Sequence, residues 1–217
     1  STEQVAAGFM WEGVPYSNVG LKAYPFDKAR AAELLDEAGW TLPEGGTVRT
    51  KDGRELEIGL YYESTNVIHR SFAQIIQAQL AESGFKINLT GEEIAAFVNR
   101  GVTGDFDLFF SLSWGEPYDP HSTLNALATA IGTYDYHGVA GLPNYATIRD
   151  QITAVIHTVD EAERQRLYTE ILTAIHEGYG FIPISYKTNR AAGRKGIENV
   201  EFNCSYDMPL GNTTIKR

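Results

Sequence analysis

The sequence predicts an α/β fold over most of the chain, followed by a tail with little regular structure. Over residues 55–89, a segment of strand composition, a segment of helical periodicity and an alternating segment follow one another. This strand–helix–strand order builds a sheet that helices cover. The last strongly apolar strand is Phe181–Tyr186, and after Arg190 the sequence is polar with scattered glycines. We therefore place the domain at 1–190 and the tail at 191–217.

The first half of the chain supplies the predicted sheet and its helices. Asp27 is suited to cap a helix that Gly39 ends, because aspartate accepts the free N–H groups of a first turn and glycine closes a last turn. Periodic apolar residues predict a second helix that ends at Gly84. The other elements expected here are strands over Glu55–Tyr62, Phe85–Leu89 and Phe106–Leu112 and a short helix over Glu92–Arg100.

The second half is expected to be mainly helical. A helix over Ser122–Ala130 leads into a loop over Ile131–Asn144 that is rich in glycine and tyrosine. Two helices follow, one around Ile152 and one that Asp160 caps. Loops often carry function, so the Ile131–Asn144 loop is a second region to inspect for a site.

Composition excludes several classes of protein. The net charge of -10 argues against a nucleic-acid partner, which requires clustered lysines and arginines. The single cysteine, Cys204, excludes an internal disulfide and a CxxC zinc site. No apolar run approaches about 18 residues, so no membrane span is expected. No nucleophile elbow, phosphate loop, dinucleotide fingerprint or His-Glu-x-x-His helix is present, so the chain is not expected to be an enzyme.

The main candidate site is the run Ser113–His121, which we call the aromatic platform. Trp114 and Tyr118 follow the predicted strand, at the end where open α/β sheets usually bind ligands. Pro117 and Pro120 fix φ and hold the two rings in place at little entropic cost. The alternative is that both rings only cover the rim of the core.

Four segments resemble the family 5 extracellular solute-binding proteins of ABC importers, which capture peptides, nickel or nickel chelates. The nearest likeness is to the nickel-binding members. The resemblance implies a type II periplasmic-binding-protein lobe with a mixed sheet flanked by helices. The segments that carry the resemblance are Tyr24–Trp40, Asp52–Leu60, Gln74–Gly84 and Leu167–Tyr186.

The resemblance also implies how such a chain works. Family members are exported and longer, and residues 1–4 lack the basic and apolar regions of a signal peptide. We therefore expect a C-terminal, distal lobe whose tail returns to a first lobe. The expected function is the capture of nickel or a small nickel chelate between two lobes, without a cofactor. The protein is expected to be a monomer that partners an ABC permease, in a periplasmic or other extracytoplasmic location, with or without a lipid anchor.

By the same resemblance, Trp114 and Tyr118 contact the solute, and Tyr206 approaches it from the tail. In nickel-binding relatives a histidine on the loop after the platform contacts the metal. Gly132 takes the equivalent place here, and His137 follows five residues later. His137 is thus the candidate metal ligand, and the other interpretation is a solvated loop histidine.

Peptide binding is the alternative function within the family. Many peptide-binding relatives carry an aspartate three residues after the platform tryptophan, where it pairs with the α-ammonium group of the ligand. Pro117 stands there in this sequence, and Glu116 or Asp119 would have to replace the missing charge. Asp119 is also suited to cap the following helix. More distant alternatives are a hydrolase that uses His121 or His137 and a ligand-sensing module.

Overall fold

A computed structural model describes residues 3–113, 119–129, 133–188, 190, 192–201 and 208–216. The helices in these ranges are α1 (Lys28–Glu37), α2 (Val67–Ala81), α3 (Ile94–Thr103), α4 (Pro120–Thr129), α5 (Tyr134–Ala140), α6 (Tyr145–His157) and α7 (Glu161–Glu177). The strands are β1 (Gln4–Val5), β2 (Thr50–Lys51), β3 (Arg54–Glu55), β4 (Glu57–Glu63), β5 (Lys86–Glu92), β6 (Leu108–Phe109), β7 (Ser185–Tyr186), β8 (Ile197–Glu198) and β9 (Thr214–Ile215). In the described ranges, no helix is long and apolar enough to cross a membrane.

The chain divides into two compact units, which we describe separately. The sheet unit comprises Pro25–Leu112 and Ile131–His137. The helical unit comprises Ser1–Tyr24, Ser113–Ala130 and Gly138–Arg217.

A parallel three-stranded sheet in the order β5-β4-β6 organises the sheet unit. Leu60 of β4 lies beside Leu89 of β5 and Leu108 of β6, so one row of leucines crosses all three strands. Parallel neighbours need crossover connections, which α2 and α3 provide. The buried core of the unit consists of Leu60, Ala73, Ile87 and Phe110. Because the strands are parallel, their carboxyl ends meet at one edge, which we call the carboxyl edge.

Side-chain oxygen atoms start the helices of the sheet unit. Asp27 Oδ1 accepts a hydrogen bond from Arg30 N at 2.9 Å, which confirms the predicted cap of α1. Asn66 Oδ1 accepts one from His69 N at 3.0 Å and starts α2 in the same way. These bonds satisfy N–H groups that have no partner inside the helix.

Arg100, near the end of α3, links several neighbouring segments of the sheet unit. Its Nε and Nη2 atoms donate to the carboxylate of Glu92 at 2.6–3.0 Å, and its Nη1 donates to the backbone and side chain of Asp105 at 2.7 and 2.8 Å. The guanidinium group also lies 4.1 Å above the ring of Tyr61. The Glu92 contact raises the pKa of Arg100 above its usual range. The last residue of β5, the end of α3 and the approach to β6 are thus joined by one cation.

The helical unit is built around α4, α6 and α7. Leu124, Leu127, Ile148 and Ile171 are completely buried in its core. Asp160 Oδ1 accepts from Glu163 N at 2.8 Å, which confirms the predicted cap of α7. Two antiparallel pairs, β1 with β7 and β8 with β9, also belong to this unit.

Four predictions of secondary structure need correction. The expected loop over Ile131–Asn144 contains α5, and the strands expected over Phe106–Leu112 and Phe181–Tyr186 are each reduced to two paired residues. The helix expected over Glu92–Arg100 begins two residues later and continues to Thr103. The α/β class itself is confirmed, with parallel and antiparallel strand pairs present.

The contacts of Arg100 predict that this residue contributes measurably to the free energy of unfolding. We expect Arg100→Met to lower the free energy of unfolding by about 2 kcal/mol, because Glu92 loses its partner in a partly buried place. Urea unfolding followed by circular dichroism measures this change. The control is Arg30→Met, since Arg30 pairs with Glu33 on an exposed helix face and should change stability by less than about 0.5 kcal/mol. Equal effects of the two substitutions would contradict the role given to Arg100.

Candidate functional site

The structure describes two of the six predicted site residues. Asp119 and His137 lie in the described ranges, whereas Trp114, Glu116, Tyr118 and Tyr206 lie outside them. The geometry of the aromatic rings in the platform therefore stays a prediction. The structure does describe the residues that precede and follow 114–118.

Asp119 starts α4, as its sequence position predicts. Its Oδ1 accepts from His121 N at 2.7 Å, and Pro120 takes the first helical position, where a proline loses no hydrogen bond. Both ring nitrogens of His121 are buried and make no hydrogen bond with the described residues. Burial lowers the pKa of His121, Asp119 opposes this shift and Arg164 adds to it. The last three residues of the platform, Asp119–His121, therefore begin a capped helix.

His137 lies on α5 and contacts the end of α3. Its Nε2 is 3.1 Å from Val102 O, so Nε2 carries the proton and donates to one of the last carbonyls of the helix. Its ring lies beside Gly104 and at 6.4 Å, edge to face, from the ring of Phe106. Gly104 and Phe106 precede β6, so His137 is placed near the amino end of that strand. Within the described ranges, no group of three or more histidine, cysteine or acidic residues is arranged to hold a metal ion.

Asp135, two residues earlier, contacts the other end of β6. It hydrogen-bonds to Ser111, which follows the strand at the carboxyl edge. Burial raises the pKa of the Asp135 carboxyl to about 6, and the Ser111 hydroxyl opposes this shift. Tyr134, next to it, packs on Phe109 with ring centroids 5.5 Å apart. The sequence did not reveal this carboxyl, because its burial depends on the packing of α5 on distant residues.

Comparison with known proteins identifies the family of this chain. The sequence profile of the bacterial extracellular solute-binding proteins, family 5 Middle, matches residues 1–135, more than half of the chain. The chain belongs to this family. The family consists of solute-binding proteins. The predicted type II periplasmic-binding-protein-like fold is confirmed by the similarity to a solved structure.

Individual relatives agree with the family assignment. The nickel-binding periplasmic protein of Escherichia coli K12 is 37% identical over 201 residues, which cover 93% of this chain and 38% of the relative. A crystal structure of NikA from Brucella suis in complex with Fe(III)-EDTA has a TM-score of 0.94 at 39% identity and covers 99% of this chain and 43% of that chain. The oligopeptide-binding protein OppA of Mycobacterium tuberculosis is 29% identical over 185 residues, which cover 84% of this chain and 29% of the relative. The family 5 chain described here spans less than half the length of each.

The position of His137 depends on the absence of a side chain at Gly104. Gly104 has φ +73°, and a Cβ atom there would lie 2.8 Å from Cε1 and Nδ1 of His137. We expect Gly104→Ala to lower the free energy of unfolding by about 2 kcal/mol, through left-handed backbone strain and displacement of the imidazole. Gly53→Ala is the control, because Gly53 has φ +76° with open space around it and should cost about 1 kcal/mol. Thermal unfolding of both variants measures the difference, and equal losses would contradict the packing of His137 on Gly104.

The carboxyl of Asp135 predicts a pH dependence of stability. Its pKa is about 6 in the folded protein, whereas the reference value for an unperturbed aspartate is 3.8. The folded state therefore binds more protons between these values, so the contribution of Asp135 to stability falls as pH rises from about 4 to 6. We expect Asp135→Asn to be more stable relative to the unaltered protein at pH 7.5 than at pH 4, by roughly 2 kcal/mol once partial exposure is discounted. Urea unfolding at both pH values measures this, and a difference that does not change with pH would contradict it.

Proposed function

We propose that this chain is one lobe of the solute-binding component of an ABC importer, and that the intact protein captures nickel as a small chelate. The observation that carries this proposal is the 39% identity and TM-score of 0.94 with Brucella suis NikA, a structure that holds a metal chelate, over 99% of this chain. The identity of 37% with the nickel-binding periplasmic protein of Escherichia coli supports it.

The proposed mechanism is capture between two hinged lobes. Closure buries the solute against Trp114 and Tyr118, which supply flat apolar area, while Tyr206 contributes from the tail at 191–217. No bond is made or broken. The closed form presents both lobes to the permease in the periplasm or another extracytoplasmic space, and the protein acts as a monomer, either dissolved or attached by a lipid.

The charged residues of the platform have separate roles in this proposal. Asp119 already caps α4 through His121 N, so its remaining carboxylate oxygen is the atom left for a solute. The sequence pattern gives Glu116 no helix-capping role, so Glu116 is the second carboxylate to test. His137 donates through Nε2 to Val102, which leaves Nδ1 as the only ring atom that a metal could use.

Peptide binding is the second candidate function. It is favoured by the 29% identity with the oligopeptide-binding protein OppA of Mycobacterium tuberculosis. Against it stands Pro117, at the position where peptide-binding relatives carry an aspartate. A ligand-sensing module would share the fold, and a turnover assay separates a hydrolase from a binding protein.

Native mass spectrometry of the intact protein tests the proposal. Protein purified from cells grown with nickel and amino acids should carry a nickel complex. Trp114→Ala should weaken the binding of that complex roughly thirtyfold in calorimetry, because a large aromatic contact area is lost. Co-purified short peptides without metal would contradict the nickel proposal and favour peptide binding.

Two controls make this test specific. Trp11→Ala removes a tryptophan that is 44% exposed and outside the platform, and it should leave binding unchanged. The isolated chain of 217 residues should bind the same complex weakly or not at all, because one half of the clamp is absent. Tight binding by this chain alone would contradict capture between two lobes.

A further inference from the structure

His121, in the first turn of α4, has an imidazole ring whose polar atoms are enclosed without a partner. Both ring nitrogens are buried, and neither makes a hydrogen bond with the described residues. A neutral imidazole carries one N–H donor and one acceptor, whereas the protonated ring carries two N–H donors and a positive charge. Burying the charged ring without an acceptor costs far more than burying the neutral one. The packing at the start of α4 therefore selects the neutral form of His121.

A cation on α7 strengthens this selection. Arg164 donates to Thr158 O through Nε and Nη2, at 3.2 and 2.6 Å, and to the hydroxyl oxygen of Tyr16 through Nη1 at 3.4 Å. The nearest carboxylate oxygen of Glu161 is 4.0 Å from Nη1 and balances part of the charge. These bonds hold the guanidinium group in place, so a positive charge on His121 would meet a second one that is fixed.

Asp119 acts in the opposite direction but does not reach the ring. Burial, the larger influence, lowers the pKa of His121, while the Asp119 carboxylate opposes this shift and Arg164 adds to it. Oδ1 of Asp119 accepts from His121 N at 2.7 Å, and neither ring nitrogen hydrogen-bonds to this carboxylate. Tyr168 of α7 is also close to Asp119, and it stays neutral because burial raises its pKa. A protonated imidazole must leave its place to find an acceptor, and this movement disturbs the capped turn.

We propose that protonation of His121 opens the first turn of α4 and thereby weakens capture of the solute at the aromatic platform. This inference rests on the proposed solute-binding function and adds a control by pH to it. All the groups involved belong to the helical unit, and residues 119–121 are the last three of the platform. The opened turn binds the proton more readily than the closed one. The closed turn is therefore favoured at neutral pH and is lost as pH falls below about 6.5, the ordinary pKa of histidine.

Hydrogen exchange of the intact protein without solute tests the opening of the turn. The protection of the α4 amides, relative to the intrinsic exchange rates of an unfolded chain, is measured at pH 7 and at pH 5. We expect this protection to be roughly fivefold lower at pH 5 in the unaltered protein. His121→Phe should lose most of the difference, because phenylalanine keeps an aromatic ring and cannot be protonated. His121→Asn, which is also uncharged at both pH values, is the second variant if phenylalanine impairs folding.

Calorimetry at the same two pH values tests the effect on capture. Nickel–EDTA and trialanine are the probes, because each keeps nearly the same charge between pH 5 and pH 7. We expect the unaltered protein to bind the probe that it accepts roughly threefold more weakly at pH 5 than at pH 7. The His121→Phe variant should again lose most of this difference, which a purely structural role of the ring would not produce.

His157→Asn is the control, because it removes a histidine from an exposed position at the end of α6 and should leave both pH profiles unchanged. If the pH dependence of α4 protection is the same in His121→Phe and the unaltered protein, the inference is wrong while the proposed function stands. The inference is also wrong if protection falls but the affinity for the bound probe is equal at both pH values. If neither probe binds, the proposed function is wrong and the control of capture fails with it.

Discussion

The parallel pairing of β4 with both of its neighbours is the constraint on which the sheet unit depends. Seven consecutive residues of β4 pair with β5, and the leucine row centred on Leu60 fixes the register on both sides. A shift by one residue would turn these leucines to the opposite face of the sheet, so the register is strongly specified. Because all three strands run in one direction, polar residues that follow them in the sequence are gathered at one edge.

The charged groups at the carboxyl edge differ in whether they have a partner of opposite charge. Arg100 and Glu92 neutralise one another, and both are largely buried. Asp135 is partly buried, and its polar contact is with the neutral Ser111 hydroxyl, so its ionised form gains no compensating charge there among the described residues. The ion pair therefore stabilises the fold at neutral pH, whereas the carboxyl of Asp135 stabilises it only while protonated.

The parts of the fold that the sequence predicted are those determined by neighbouring residues. Asp27, Asp119 and Asp160 each cap a helix that starts within one residue of them, and a cap depends only on the local backbone. The helix α5 was missed because glycine and tyrosine favour a loop, while packing of Tyr134 on Phe109 stabilises a helix there. Burial of Asp135 follows from the same distant contacts. For the candidate site, the residue pattern and the family resemblance both predict the aromatic platform, which stays a prediction because 114–118 lie outside the described residues.

The short pairing of β6 sets the order in which the sheet opens. Only two of its residues pair with β4, and its further attachments are the bonds from Phe110 N to Tyr61 O at 3.2 Å and from Gly59 N to Asp107 Oδ2 at 2.8 Å. Local opening requires less free energy where fewer backbone bonds must break. Amide hydrogens of β6 are therefore expected to exchange with solvent before those of the β4–β5 pair. The strand that precedes the aromatic platform in the sequence is thus held to its sheet by far fewer backbone bonds than the seven-residue pair beside it, so the two halves of one sheet differ in local stability.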